Sequence, residues 1–189
     1  MNIEIKNRTN KHVIFSHYCE KNTIKKTVEE AVKLKINLSE ADLKGADLDS
    51  AKLGGADLSH ADLRKADLKY ADLNDANLNE ANLRCAELSW ADLRWANLRW
   101  AELNGTNLKW AELRGAIGNN KEIITIQTGI YTCVITELSL TIGCESHTFD
   151  EWIAFTDSEI DKMDAKKSLS FWHDWKTIIL KSYELNFKK

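Results

Sequence analysis

The most regular feature of the chain is a leucine at every fifth position from Leu38 to Leu113, sixteen in all. An alanine stands two positions before each leucine except at Ile36 and Thr106, and the residue between them is Asp, Asn or Glu except at Lys52. A period of five would spiral the leucines around the whole surface of an α-helix and alternate them between the two faces of a flat strand. The chain must therefore bend once in each repeat to keep Ala and Leu on one side.

Repeated bends of this kind predict a closed coil. In each Ala-x-Leu triplet the two apolar residues point to the same side of a short extended segment, and the next two residues form a corner. Stacked coils then bury one continuous column of leucine and alanine. Helix propensity alone would favour a helix for this Ala- and Leu-rich stretch, but the period argues against it.

The segment 36–116 resembles the pentapeptide-repeat family, whose pattern is A-(D/N)-L-x-x. The resemblance implies a mainly β fold: a right-handed, four-sided pentapeptide-repeat β-helix with four repeats per coil, hence about four coils for sixteen repeats. With strands stacked about 4.8 Å apart, the column would be roughly 19 Å tall. Asp and Asn between Ala and Leu are expected to bond the amides of the corners rather than to act as catalytic or calcium-binding groups.

The segment 1–35 is predicted to be an N-terminal ββα cap. Residues 2–7 and 12–18 alternate as strands around a turn at 8–11, and Asn22 or Thr23 can begin a helix that runs to about Lys35. An open end of a β-helix would expose apolar interior and unpaired strand edges, which a small unit of this kind would cover.

The segment 117–189 is predicted to be a C-terminal strand and helix module. Short strands are expected at 122–128, 131–136 and 138–142, with turns at 118–120 and 128–129. Helices are expected at 148–155, after a possible capping box at 156–159, and from about Lys166 to Tyr183. The last helix carries an amphipathic face for a core or a partner helix, and packing is the favoured role for its Trp172 and Trp175.

Composition excludes several classes of function. The net charge is −3, from 26 basic and 29 acidic residues, which is too balanced for a general nucleic-acid binder. No apolar run is long enough for a transmembrane helix, and the first residues lack the apolar region of a signal peptide. The four cysteines form no CxxC pair, which argues against a disulfide framework or a zinc cluster and fits a cytoplasmic location. No motif for phosphate binding, acyl transfer or metal catalysis is present, so we expect no enzyme, cofactor or metal.

The candidate binding surface lies in the late repeats. Residues 37–80 carry 10 acidic and 5 basic side chains, whereas residues 81–116 carry 4 acidic and 5 basic ones. Tryptophan and arginine, the residue types of interface hot spots, cluster there at outward positions. The candidate residues are Trp90, Arg94, Trp95, Arg99, Trp100 and Trp110. The alternative is a structural ladder of Tyr70, Trp90 and Trp110, which residues 20 apart would form, partly covered by the C-terminal segment.

Three functions follow as hypotheses. The first is a non-enzymatic binding scaffold, because the chain combines a rigid solenoid and a Trp/Arg patch with no catalytic constellation. The modules at its two ends are similar to those of pentapeptide-repeat proteins of bacteriophages and prophages, which implies a host protein as partner and a role in modulating host defence or metabolism. The second comes from the family resemblance and is mimicry of duplex DNA to engage DNA gyrase or topoisomerase; the short column and small net charge weaken it. The third is sequestration of a nucleotide-like ligand by Trp and Arg. A homo-oligomer is also possible.

Overall fold

The structure, a computed structural model, describes residues 1–119, 122–128, 130–143, 145–163 and 168–188. The chain begins with an antiparallel hairpin of β1 (Asn2–Lys6) and β2 (Val13–Tyr18), followed by α1 (Ile24–Lys33). Thr23 caps the helix by accepting a hydrogen bond from the Lys26 amide. The described residues of this segment thus have the order ββα, and the helix ends two residues earlier than expected.

The repeats form a parallel coil with 20 residues in each turn. Isolated parallel bridges join residues 20 apart, from Asp42 and Asp62 to Asn97 and Ile117. Each turn therefore contains four five-residue repeats, one on each side. The amide of a leucine donates to a carbonyl in the next turn, as from Leu63 to Asn82 at 2.8 Å. Neighbouring turns are thus held together by regular backbone hydrogen bonds on every side.

A tight turn separates successive sides of the coil. The amide of each following alanine donates back to the preceding leucine carbonyl, as from Ala91 to Leu88 at 3.1 Å. The second residue after the leucine has a positive φ, such as Trp90 at 63° and Gly105 at 71°. A negative φ followed by a positive one is the pattern of a type II turn, which favours glycine or asparagine at that position.

The leucines and alanines of the repeats fill the interior, as the period predicts. Fifteen of the sixteen leucines are buried, with exposed fractions of 4% or less, and only Leu108 is partly exposed. Thr106 replaces an alanine at this end of the column and donates its hydroxyl to the carbonyl of Leu83 at 2.7 Å. The last turn is therefore less completely covered than the others.

The C-terminal segment forms a second core. An antiparallel sheet has the order β3-β4-β5-β6, and three helices follow it. The elements are β3 (Ile124–Gln127), β4 (Thr132–Ile135), β5 (Leu140–Ile142), β6 (Glu145–His147), α2 (Phe149–Ala154), α3 (Asp157–Met163) and α4 (Ser168–Phe187). Phe171, Trp172 and Ile179 of α4 are buried in this core, so Trp172 packs as expected. Ile123 and Val134 instead join the core of the coil.

The boundaries in this segment differ from expectation. The strands are shorter than predicted, and β6 was not predicted because Glu145, Ser146 and His147 carry no apolar signal. The capping box at 156–159 is present, with the Thr156 amide donating to Glu159 at 2.8 Å. Helix α4 extends to Phe187, four residues past the predicted end. The predicted turn residues 120 and 129 and the predicted helix start at 166 lie outside the described residues.

Candidate tryptophan and arginine binding surface

The four candidate tryptophans all occupy the strained position of a corner. Trp90, Trp95, Trp100 and Trp110 have φ angles of 63°, 62°, 59° and 62°. This left-handed region crowds the Cβ atom against the backbone, and a bulky residue there is uncommon. Their side chains are exposed by 53%, 56%, 74% and 60%. The corner geometry thus directs four large rings into solvent.

Trp90 and Trp110 belong to an aromatic stack along one corner. The ring centroids of Tyr70 and Trp90 are 6.3 Å apart with planes 11° from parallel, and those of Trp90 and Trp110 are 5.6 Å apart at 24°. Lys109 places its ammonium group 5.8 Å from the Trp110 ring centroid. The ladder predicted from the 20-residue spacing is present, and its tryptophans keep more than half of their surface in solvent. It can therefore contribute to stability and to binding at once.

Trp95 lies on the next corner, against Gly115. A Cβ atom built on Gly115 would come within 2.3 Å of the Trp95 ring, so the ring lies over the glycine backbone one turn further along. Gly115 also has a positive φ of 73°. Sequence reasoning missed this glycine as part of the surface, although the 20-residue interval between the two positions was the signal that could have revealed it.

Trp100 lies on the corner after that of Trp95. The corner of Trp100 is opposite the corner that carries the aromatic stack. Successive repeats occupy successive sides of a four-repeat turn, so Trp90, Trp95 and Trp100 follow one another around the coil. The six candidate residues therefore wrap around three corners near one end of the column. Within this set, Trp95 and Trp100 are on adjoining corners, with Arg94 and Arg99 immediately before them in the chain.

The two candidate arginines differ in their partners. The Arg94 guanidinium donates two hydrogen bonds to the Asp92 carboxylate, with Nε 2.8 Å from Oδ1, and Nε also lies 3.6 Å from Glu112. This pairing lowers the pKa of Asp92 and raises the pKa of Arg94. Within the described part of the chain, the Arg99 side chain has no ion pair. Arg99 is thus the more available of the two for an anionic group of a partner.

The acidic and amide residues between Ala and Leu have the structural role expected for them. Their side-chain oxygens accept hydrogen bonds from the amide two residues later, as Asp72 does from Asn74 at 3.1 Å. Amides also bond along a column, with Asn97 donating to Asn77 at 3.2 Å. Across the described residues, no group of His, Cys, Asp and Glu could hold a metal ion. His60 is paired with Glu80, with Nδ1 and Oε2 3.3 Å apart.

Comparison with known proteins agrees with the repeat pattern. Residues 35–64, 61–99 and 91–117 match the family described as pentapeptide repeats, in 8 copies. No match was found among curated proteins. None of the described helices is both long and apolar enough to cross a bilayer.

Solved structures of pentapeptide repeat proteins are similar to part of the chain. One from the cyanobacterium Cyanothece 51142 is 44% identical over 44% of this chain and 57% of its own, with a TM-score of 0.44. One from the Arabidopsis thaliana thylakoid lumen is 40% identical over 41% of this chain and 55% of its own, with a TM-score of 0.40. One from Nostoc Pcc 7120 is 32% identical over 50% of this chain and 93% of its own, with a TM-score of 0.39. The chain thus spans little more than half the length of the first two structures.

Proposed function

This chain belongs to the pentapeptide-repeat family through residues 35–117, and on that basis we propose that it is a non-enzymatic scaffold that binds a protein partner. Proteins of the family fold as right-handed β-helices, which are rigid because every side of a turn is bonded to the next. In this proposal, about four coils carry the binding surface, and the segments 1–35 and 117–189 cover their ends. A phage or prophage origin and a host protein as partner are part of the same proposal.

The observation that carries the proposal is the set of exposed tryptophans at positive φ. A residue held in this region costs about 1–3 kcal/mol, which the surrounding structure must offset. The stack offsets part of this cost for Trp90, and contact with Gly115 does so for Trp95. Trp100, which is 74% exposed, has no ring contact with another described residue. Every corner of the coil has a positive φ, at small and charged residues such as Ser50 and Lys65 as well, so this backbone conformation belongs to the fold. What supports a binding surface is that four of these corners carry large aromatic rings that stay more than half exposed to solvent.

The chemistry of the surface suits a protein partner. Tryptophan buries a large apolar area with few rotamers, and interface hot spots are enriched in Trp, Tyr and Arg. Arg99, which has no ion pair in the described residues, precedes Trp100 on its corner and can donate to a carboxylate of the partner. Trp95 and Trp100, at the two corners that bound one side of the coil, would then insert into apolar pockets of the partner.

Affinity capture from a bacterial lysate tests the proposal. We expect the double variant Trp95→Ala/Trp100→Ala to lose the captured protein by tenfold or more while keeping the unfolding temperature nearly unchanged. Lys65→Ala, an exposed corner residue of an earlier turn with φ of 58°, is the matched control and should keep the partner. Capture that is equal for all three proteins would exclude this surface as the binding site.

DNA mimicry is the alternative function, and the acidic early repeats are the feature that favours it. Several of these carboxylates are neutralised in place, since Asp62 pairs with Arg64 at 2.6 Å and Asp67 with Lys69 at 3.1 Å. A gyrase supercoiling assay separates the two functions. Inhibition that survives Trp95→Ala/Trp100→Ala would favour mimicry over the scaffold. Nucleotide sequestration is tested by mass spectrometry of the small molecules released from the purified protein and from the Trp95→Ala/Trp100→Ala variant. A nucleotide released by the unaltered protein but not by the variant would favour sequestration.

A further inference from the structure

A second candidate surface lies on the C-terminal module, away from the tryptophans of the coil. A groove of about 280 Å³ opens between helix α2, helix α4 and the turn that joins β4 to β5. We propose that this groove binds a short basic amphipathic segment of a partner protein, one that presents one or two apolar side chains beside lysine or arginine. The groove shares no residue with the proposed tryptophan surface, so the two proposals stand or fall separately.

The floor of the groove is aromatic and well fixed. Phe149 and Tyr183 stack with their ring centroids 3.7 Å apart, and Phe149 is 6% exposed. The Tyr183 hydroxyl donates to the Glu137 carbonyl at 3.4 Å, which ties α4 to the turn before β5. These contacts hold the floor in one arrangement. A partner would therefore meet a preformed depression rather than order it on binding.

Apolar side chains at the walls remain exposed. Leu138 is 61% exposed and Ile153 is 49% exposed, on opposite elements that line the groove. Ligand pockets for small molecules usually measure about 300–1,000 Å³ and bury most of the ligand. At about 280 Å³ the groove lies at the lower end of this range, and its exposed apolar walls suit one or two side chains of a peptide.

The charge at the rim selects the chemistry of the partner. Three carboxylates line the groove, from Glu137, Asp150 and Glu184. None of them forms an ion pair with a cation in the described part of the chain. Among the described residues that line the groove, Lys188 is the one cation, and its ammonium group lies 5.7 Å from the Tyr183 ring centroid. An apolar centre with a rim of unpaired carboxylates is complementary to an apolar side chain flanked by lysine or arginine.

Fluorescence anisotropy on the full chain tests this proposal. The probe is a fluorescein-labelled peptide built from Lys-Leu-Leu-Lys blocks, measured at about 50 mM salt, where the Debye length exceeds 10 Å. We expect Leu138→Ser and Glu184→Lys each to weaken binding by about fivefold or more, since a factor of five needs only about 1 kcal/mol. Both side chains are exposed, so neither change should unfold the protein.

Matched variants and probes decide the outcome. Leu185→Ser removes an exposed leucine and Asp174→Lys reverses an exposed acid on the same helix, and neither residue lines the groove. These controls should bind the probe like the unaltered protein. Equal weakening by controls and test variants would overturn the proposal, as would equal binding of a peptide whose leucines are replaced by serine. Sedimentation that shows a dimer dissolved by Leu138→Ser would also overturn it, because the occupant would then be a second copy of the chain.

Discussion

At the scale of single residues, the corners of the coil have a backbone conformation that favours glycine, but several of them carry bulky side chains. The turn favours glycine at its third position, yet this position is tryptophan at four of the late corners. Trp95 gains a contact with Gly115, whereas Trp100 projects into solvent. The free energy of the same substitution should therefore depend on which corner carries it.

Trp100→Gly should leave the free energy of unfolding within about 0.5 kcal/mol or raise it slightly. The change relieves a left-handed residue, worth roughly 1–2 kcal/mol, and adds about 0.5–1 kcal/mol of chain entropy in the unfolded state. Urea unfolding measures the difference. Leu78→Ala, a fully buried position in the middle of the column, should cost about 2–5 kcal/mol in the same assay. A loss above about 1 kcal/mol for Trp100→Gly would mean that this ring is structural packing.

Gly115→Ala should destabilise the protein through two separable causes. The residue has a positive φ, and the new Cβ would overlap the Trp95 ring, which lies 2.3 Å away. Gly45→Ala is the matched control, because its φ is 65° but no atom lies within 4 Å of the added Cβ. We expect Gly45→Ala to cost about 1 kcal/mol and Gly115→Ala to cost more by about 1–3 kcal/mol. Adding Trp95→Ala should remove that excess, and equal costs for both glycines would contradict the described contact.

At the scale of elements, the repeat unit combines an inward Ala-x-Leu triplet with a corner stabilised by side chains. The carboxylate or amide between Ala and Leu accepts a hydrogen bond from a backbone amide of the corner. In two repeats the guanidinium adds two more hydrogen bonds, from Arg64 to Asp62 and from Arg94 to Asp92. The residue between Ala and Leu thus belongs to one side of the coil and also stabilises the turn that follows it. Charge pairing at these two corners makes the stability of the coil depend on pH.

The coil should lose stability as the pH falls below about 4. The side-chain hydrogen bonds from Arg64 and Arg94 lower the pKa of Asp62 and Asp92 below 3.8. The unfolded chain therefore binds more protons in this range, and the stabilisation is present above pH 4 and lost as the folded-state pKa is passed. Urea unfolding at several pH values measures it. Arg64→Gln/Arg94→Gln should show a shallower slope between pH 2 and about 4, and an unchanged slope would contradict the role of these pairs.

The period of five was sufficient to predict a bend in each repeat and the inward leucines. The four repeats per coil that the family resemblance implies then placed Tyr70, Trp90 and Trp110, which are 20 residues apart, in one aromatic stack. The period could not predict that Leu108 is partly exposed, since no further turn follows to cover it. It also could not show that Arg94 is bonded within its own repeat while Arg99 is not, because both follow the same pattern. The strand β6 was missed for a different reason: the pairing of Thr141 with Ser146 is polar, with their hydroxyls 2.9 Å apart.

At the scale of the whole molecule, the two ends of the coil are covered to different extents. At the first turn, the Asp42 amide donates to Lys6 and the Arg8 amide donates to Glu40, both at 2.7 Å, so the N-terminal hairpin pairs directly with the coil. At the last turn, the amides of Leu108 and Leu113 have no backbone acceptor among the described residues. The C-terminal module contributes Ile123 and Val134 to the coil core there.

Removing either end should produce self-association. Deleting 1–35 exposes the paired edge of the first turn and the surface beneath Val28 and Ala31, which are fully buried. Deleting 117–189 exposes the last turn in the same way, and unpaired strand edges template aggregation. Size-exclusion chromatography with light scattering measures the outcome. A monomeric, folded fragment of residues 36–116 would show that the ends are independent of the coil.

The 20-residue turn has a geometric consequence for the direction in which the two ends face. Because one repeat advances the chain by one side, inserting or deleting five residues would rotate everything beyond that point by about a quarter turn around the long axis, at a rise of only about 1.2 Å. A change of twenty residues would restore the original heading and alter the length alone by about 4.8 Å. The number of repeats therefore sets an angle as well as a distance. The direction in which the C-terminal groove faces, relative to the N-terminal hairpin, depends on how many repeats separate them.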